Sequence, residues 1–281
     1  GLVCDRANYM NEKLLMKTAL LAGKILMENG AEVYRTEDTM ERIIRKGVGQ
    51  VRTDIFYTHV TLTGLFVRIE DYGTDFYRVE NRTYNLTKTT AVNTLSRAYT
   101  SGQISLEDMY DALKRIHTSK SKVPDWFKIL CAGILSGGIV LIFEGSYWDV
   151  IPGSIAGAVA FYIYLVAITY LKAPFISEYI STFVGGVAGY LGFALLNGQS
   201  LRLAMIGAVV PLVPGITITN SMRDIIARQY ISGVIRFIET FCVAFALGAG
   251  IVTVYYLVRL FGGVVSVSYT HLRAHETDSY L

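Results

Sequence analysis

The sequence predicts an α-helical polytopic membrane protein, with about five transmembrane helices and an N-terminal cytoplasmic α+β domain. The first observation is the distribution of charge: 34 of the Asp, Glu, Lys and Arg residues lie in residues 1–127, and only 12 lie in residues 128–265. The second is a series of long apolar stretches in the poorly charged part, which indicates membrane spans. The third is the mixture of helical and alternating periodicities in the charged part, which indicates a soluble domain.

The chain is divided at residues 10, 124 and 266. Residues 10–123 form the predicted cytoplasmic domain and residues 124–265 the membrane domain. Because no secretory signal precedes the domain, we expect it to remain in the cytoplasm. Residues 1–9 are expected to be a non-native extension, since Met10 resembles a bacterial start. Residues 266–281 are expected to be a non-native tail, since polar sequence follows the last span abruptly.

Composition argues against several classes of function. A formal charge of +3 is too balanced for a nucleic-acid partner. The three cysteines are far apart, so the sequence supports neither a disulfide framework nor a zinc cluster. His59 and His117 are isolated from other ligand types, so no metal site is expected, and no cofactor is expected either.

The cytoplasmic domain is predicted to hold helices around a small antiparallel sheet of at least three strands. Ser105 with Asp108 is a capping pattern for the last helix. Glu32, Tyr34 and Arg35 fall at the tight turn after Gly30, where a polar trio could bind a partner or a ligand; a solvated helix face is the alternative. Helices are predicted over Asn11–Asn29, Gly30–Arg45, Leu86–Tyr99 and from Ser105 to near Arg115, and strands over Val51–Val60, Leu62–Glu70 and Asp75–Val79.

Five spans are predicted in the membrane domain. They run at about Ile129–Phe143, Val150–Leu171, Phe175–Leu196, Leu201–Ile218 and Val234–Phe261. Glycines spaced four apart, such as Gly153 with Gly157 and Gly185 with Gly189, let helix backbones approach closely. Lys and Arg beside the spans are concentrated on the side of the N-terminal domain, which favours a cytoplasmic domain and an external C-terminus.

A break in the fourth span organises the candidate site. Pro211, Pro214 and Gly215 interrupt an apolar helix, and each proline removes a backbone donor and leaves a carbonyl without its helical partner. Broken helices form the substrate and ion sites of many secondary transporters. The alternative is a loop between two spans that happens to contain prolines. Thr217, Thr219 and Asn220 add hydroxyl and amide groups directly after the break.

Ionisable residues in or near the spans are candidates for a transport pathway, because burying them in hydrocarbon is costly. Asp149, Glu178 and Glu239 are carboxylates that could take up a proton or pair with a cationic solute; the alternative is that they only reach the membrane interface. Arg223 could bind a carboxylate through its planar fork or anchor the inside surface. Asp224 could serve the pathway or, with Ser221, cap the helix after the break.

The chain resembles the threonine/serine exporter family in its N-terminal, five-span half. The resemblance lies in GAEVYRTEDTMERI (Gly30–Ile43), FEGSYWD (Phe143–Asp149) and PLVPGITITNSMRDIIARQYISGVIR (Pro211–Arg236), and it covers Met10–Gly263. Where the familiar block tends to have two glycines, this chain has Glu144 and Gly145. By carry-over, the resemblance implies a functional set of Asp149, Pro211, Pro214, Gly215, Asn220, Arg223, Asp224 and Glu239.

The resemblance implies export of small hydrophilic metabolites such as threonine and serine, by proton antiport across the bacterial cytoplasmic membrane. It also implies a separate, smaller membrane subunit that supplies the remaining spans, in agreement with the odd number of spans. One alternative is export of succinate or another dicarboxylate. Another is a cytoplasmic sensor or enzyme domain anchored by the spans, although no nucleophile elbow or metal motif supports an enzyme.

Overall fold

The computed structural model describes residues 2–49, 56–70, 72–80, 82–120 and 123–261, with side chains from residue 11 to residue 260. In these ranges the chain is mostly helical, with one small antiparallel sheet. The elements are α1 Leu2–Glu28, α2 Val33–Val48, β1 Phe56–Val60, β2 Gly64–Ile69, β3 Gly73–Arg78, α3 Leu86–Thr100, α4 Leu106–Thr118, α5 Asp125–Ile142, α6 Tyr147–Tyr170, α7 Ile176–Leu195, α8 Leu201–Ile206, a 3₁₀ turn Val210–Leu212, α9 Gly215–Ile226 and α10 Tyr230–Phe261.

The chain forms two compact units. The first unit combines the N-terminal part, up to residue 122, with Pro214–Thr240. The second unit combines Val123–Val213 with the part of the chain that begins at Phe241. Helix α9 and the first third of α10, which the sequence analysis placed in the membrane domain, therefore pack with the N-terminal elements.

Helix α1 forms the centre of the first unit. Among its described side chains, Leu15, Leu20 and Ile25 are fully buried, and the helix contacts α2, α3, α4 and the sheet. It begins at Leu2, whereas the periodicity predicted a start at Asn11. Once a helix is nucleated, each added residue contributes one hydrogen bond, so a helix can extend beyond its amphipathic pattern.

The sheet has the strand order β1-β2-β3, and both pairs are antiparallel. In β2, Leu65, Val67 and Ile69 are buried, while Phe66 and Arg68 between them are exposed, as the alternation of a half-buried strand requires. This confirms the predicted three-stranded sheet. Residues 51–55 of the first predicted strand lie outside the described residues.

The predicted cap of α4 is confirmed. The Ser105 hydroxyl accepts a hydrogen bond from the Asp108 backbone N–H at 3.1 Å and donates one to the Asp108 carboxylate at 2.8 Å. Helix α4 thus begins at Leu106, as the local pattern specifies.

Helix α6 packs between α5 and α7 in the second unit, through small residues. A Cβ atom added to Gly185 would lie 2.9 Å from the Ala156 carbonyl oxygen of α6, and one added to Gly189 would lie 2.9 Å from the Ala204 carbonyl oxygen of α8. Such backbone contact is possible only where a side chain is lacking. The predicted close approach of helices at the paired glycines is confirmed within this unit.

Helices α5, α6 and α10 are each long and apolar enough to cross a membrane. If Leu201–Leu212 and Gly215–Ile226 are counted together as one bent span, the described residues contain four candidate membrane spans. Helix α7, which the sequence predicts as a span, has 20 residues but lies outside this group. Its polar residues Ser177, Glu178, Ser181 and Thr182, together with its glycines, lower its hydropathy.

The outer surfaces of the long helices are apolar. Large side chains such as Ile134 and Ile142 on α5 and Phe241 and Phe245 on α10 are exposed. A soluble protein would cover or replace such side chains, whereas hydrocarbon solvates them. The chain is accordingly a membrane protein with several apolar helices.

Candidate functional site

The break in the fourth predicted span is present. Helix α8 ends at Ile206, Pro211 lies in the 3₁₀ turn, and α9 starts at Gly215, directly after Pro214. Pro211 has no N–H to donate to the carbonyl of Gly207, four residues earlier. That carbonyl accepts a hydrogen bond from the buried Ser136 hydroxyl of α5 instead, at 2.8 Å. A side chain of the protein therefore compensates the break at this carbonyl.

The polar residues after the break bind nearby protein groups. The Thr219 hydroxyl donates to the Gly215 carbonyl at 3.0 Å, one turn earlier in the same helix. The Thr217 hydroxyl forms a hydrogen bond with the hydroxyl of Tyr84, which precedes α3. Both hydroxyls therefore have a hydrogen-bond partner within the protein, so a role in binding a solute is not required to explain either residue.

The turn between α1 and α2, which we call the docking turn (Gly30–Val33), is bound by three buried side chains of α9 and α10. The Asn220 amide donates to the Gly30 carbonyl at 2.8 Å, and the Arg236 guanidinium donates to the Ala31 carbonyl at 2.8 Å. The Val33 backbone N–H donates to Asp224 Oδ1 at 2.9 Å. Each of these bonds engages the backbone of the turn, so it fixes the position of the turn regardless of the side chains there.

Asp224 acts as the cap of α2 from a distant part of the chain. The first N–H groups of a helix have no partner within it, and the side chain of Glu32, at the N-cap position, makes no cap hydrogen bond. Asp224 supplies both an acceptor and a negative charge at this positive helix end. The Asp224 carboxylate is fully buried (0% exposed), and its Oδ2 lies 3.5 Å from Nε of Arg236, which is 3% exposed.

The alternative prediction for Asp224, that it caps α9 together with Ser221, is wrong. Helix α9 begins at Gly215, so both residues lie in its interior. The Ser221 hydroxyl donates to the carbonyl of Gly233 in α10, at 2.7 Å. The local pattern suggested a helix start, but the proline break fixes the start of α9 six residues earlier.

Glu32 lies between two arginines. Its Oε1 accepts a hydrogen bond from Arg223 at 2.7 Å, and its Oε2 is 3.8 Å from a terminal nitrogen of Arg35. Burial would raise the pKa of the Glu32 carboxyl, but the hydrogen bond from Arg223 and the charges of both arginines outweigh it and hold the pKa below its ordinary value. Two members of the predicted trio are thus brought together; Tyr34, the third, is half-buried beside them.

Two further side-chain pairs lie within the first unit. The Gln229 amide donates to the Glu37 carboxylate of α2 at 2.8 Å, and Glu239 of α10 forms an ion pair with Arg82. The sequence analysis assigned no site role to Arg82, Gln229 or Arg236. For Arg236 a signal existed, because an arginine within an apolar stretch is costly and needs a partner.

The two carboxylates of the second unit that the sequence analysis singled out bind helix ends. Asp149 is buried, and its Oδ1 accepts hydrogen bonds from the backbone N–H groups of Gln199 and Ser200, at 2.7 and 2.9 Å, just before α8. Glu178 is buried in the first turn of α7, and its Oε2 accepts the Phe175 N–H at 2.6 Å. Asp149 therefore satisfies two backbone donors before α8, and Glu178 satisfies one at the start of its own helix, α7.

The comparisons with known proteins identify the family. The ThrE family model, described as "Putative threonine/serine exporter", matches residues 17–258. No curated protein and no solved structure matches the chain. The match spans most of the chain and includes both the docking turn and the break, as the resemblance led us to expect. The chain therefore belongs to the ThrE family of threonine/serine exporters.

Proposed function

We propose that this protein is a subunit of a proton-coupled exporter that moves threonine, serine or a similar small polar acid out of the bacterial cytoplasm. The description of the matching family names threonine and serine as the exported amino acids. In the proposal the N-terminal domain is cytoplasmic, five helices including α7 span the inner membrane, and a smaller membrane subunit supplies the remaining spans. The odd number of spans supports a second component, because transporters are commonly built of two related halves.

The observation that carries the proposal is the polar cluster in α9, directly after a break in an apolar helix. Asn220 and Asp224 are buried there, and Arg236 of α10 pairs with Asp224. A buried charge in a helix of a membrane protein costs free energy, so it is retained mainly where it binds a partner or a ligand. In this chain they bind the docking turn, which supports a role for the cytoplasmic domain in coupling rather than a role as an independent enzyme.

The predicted pathway residues take different parts in this proposal. Pro211, Pro214 and Gly215 supply the break itself, and Thr217 and Thr219 follow it. Among the carboxylates, Glu239 is the proposed proton carrier. Its side chain and that of its partner Arg82 are each more than a third exposed, and Glu239 does not cap a helix end. Asp149 and Glu178 hold helix ends, so a proton on either would weaken a helix terminus.

Export of a dicarboxylate such as succinate is the second candidate. The observation that favours it is the pair of half-exposed guanidinium groups, Arg35 and Arg223, on the two sides of Glu32. Two cationic groups are better matched to a ligand with two carboxylates than to a zwitterion with one.

Uptake into inverted membrane vesicles tests the proposal. Vesicles containing this protein, with and without the small subunit, are given labelled threonine, serine or succinate under an imposed proton gradient, acidic inside. We expect gradient-dependent uptake that requires both proteins and is lost with a protonophore. The Glu239→Gln variant should lose the dependence on the gradient. The absence of uptake of all three solutes, with both proteins inserted, would contradict the proposal.

A further inference from the structure

One of the four contacts to the docking turn differs in kind from the others. Asn220, Asp224 and Arg236 are at most 5% exposed, and each binds a backbone group. Arg223 binds the side chain of Glu32, and its own side chain is 53% exposed. The three buried contacts can therefore hold the turn while the contact between Arg223 and Glu32 is exchanged for another.

The surroundings of Glu32 carry more positive than negative charge. Glu32 is one carboxylate, with a side chain 8% exposed, between two guanidinium groups that are each more than half exposed. A guanidinium has about five N–H donors in a fork that matches a carboxylate. Glu32 uses one donor of Arg223 in a hydrogen bond and lies at ion-pair distance from Arg35. The two arginines thus have the charge and the donors to bind a further carboxylate.

We propose that Arg223, next to Arg35, binds the carboxylate of the exported solute, and that Glu32 is an internal carboxylate that competes for Arg223. The proposal rests on the proposed function, since it takes its ligand from there. An incoming carboxylate replaces one ion pair of Arg223 by another of the same chemistry, so the exchange conserves most of the interaction. Glu32 then remains paired with Arg35 when the solute is bound to Arg223.

This arrangement gives Glu32 a specific role in selectivity. A solute without a carboxylate cannot displace Glu32, whereas a solute with one displaces it in proportion to its concentration. Removing the charge of Glu32 should therefore strengthen solute binding, although Glu32 is the natural partner of Arg223. A residue with only a structural role would have the opposite effect or none.

Equilibrium binding to the purified full-length protein tests the inference. The probes are labelled threonine, serine and succinate, and the variants are Glu32→Gln, Arg223→Gln and the double variant. Glu41→Gln is the matched control, because Glu41 forms an exposed ion pair with Arg45 in the same helix. We expect Glu32→Gln to lower the Kd for a carboxylate solute about tenfold, which corresponds to about 1.4 kcal/mol. Arg223→Gln should raise the Kd at least about tenfold in either background, and the control should match the parent.

An unchanged or weaker affinity in Glu32→Gln, measured at a temperature where this variant is folded, would overturn the inference, as would the absence of solute binding to every variant. The vesicle assay separates this from a failure of the proposed function. If the parent exports threonine or succinate and the half-saturation concentration is the same in Glu32→Gln and Arg223→Gln, the function stands and the inference fails. If the parent transports none of the three solutes, the proposed function itself fails.

Discussion

Asp224 in α9 accepts a hydrogen bond at 2.9 Å from the backbone N–H of Val33, the first residue of α2 and 191 positions earlier in the chain. Through this bond a buried carboxylate of the predicted membrane domain caps a helix of the N-terminal domain. The same carboxylate lies against Arg236, which donates to the Ala31 carbonyl in the turn. The docking turn and the helices after the break thus form one polar network.

The first prediction concerns the buried pair in this network. Arg236→Met should destabilise the protein by about 3–5 kcal/mol, because it leaves Asp224 buried without its counter-charge. The double variant Asp224→Asn/Arg236→Met should be less unstable than the single one, since no unpaired charge remains. Thermal unfolding in detergent measures both. Arg259→Met, at an exposed position of the same helix, is the control. Equal melting temperatures of Arg236→Met and the control would show that the pair contributes nothing.

The second prediction concerns the carbonyl that Pro211 deprives of its helical partner. Ser136→Ala should cost about 1–3 kcal/mol, because the buried Gly207 carbonyl would be left without a donor. Ser101→Ala, which removes an exposed hydroxyl that donates to the carbonyl three residues earlier, should have a much smaller effect. Thermal unfolding of the two variants gives the comparison. If both variants melted alike, another donor would have to satisfy the Gly207 carbonyl.

The sequence predicted the local features of this site well and its long-range features poorly. The break follows from the chemistry of proline at 211 and 214, and the cap of α4 from Ser105 with Asp108, because each depends on residues within one helical turn. The partnership of Asp224 with Val33 could not be predicted, since the nearby Ser221 offered a plausible local role. Ser136 gave no signal either, because a serine in an apolar helix does not reveal which distant carbonyl it binds.

The third prediction concerns the backbone at the end of α5. Glu144 has φ = 58°, in the left-handed region that favours glycine, and it follows the C-cap residue Phe143. Glu144→Gly should stabilise the protein by up to about 1 kcal/mol by relieving this conformation. Glu144→Ala removes the same charge without the relief, so it should give no gain. An equal change in melting temperature for both variants would assign the effect to charge rather than to the backbone.

The fourth prediction concerns pH. In the unfolded chain the Glu32 carboxyl titrates near its ordinary pKa of 4.5, and in the folded protein its pKa is lower. The ionised Glu32 therefore adds stability that is fully present above about pH 5 and is lost as the pH falls through the folded pKa. Glu32→Gln should flatten the acid side of the stability profile, measured by thermal unfolding between about pH 3.5 and pH 7.

Glu37 provides the contrast for the pH experiment. Burial, and then the neighbouring charge of Glu41, raise the pKa of Glu37 above its ordinary value. Its ionisation therefore costs stability as the pH rises from the unfolded toward the folded pKa. Glu37→Gln should raise the melting temperature near neutral pH, in the opposite sense to Glu32→Gln. If stability depended on pH in the same way in both variants, the ion pairs of Glu32 would not be what lowers its pKa.

The fifth prediction separates a structural from a proton-carrying role for Asp149. Its Oδ1 accepts two backbone N–H groups before α8, and the amide oxygen of an asparagine can accept the same two bonds. Asp149→Asn should therefore keep most of the gradient-dependent uptake, whereas Asp149→Ala should lower the melting temperature and the yield of folded protein, because it leaves both N–H groups unpaired. The vesicle assay and thermal unfolding measure the two properties independently. A folded Asp149→Asn variant that no longer responds to the proton gradient would instead place the transported proton on Asp149.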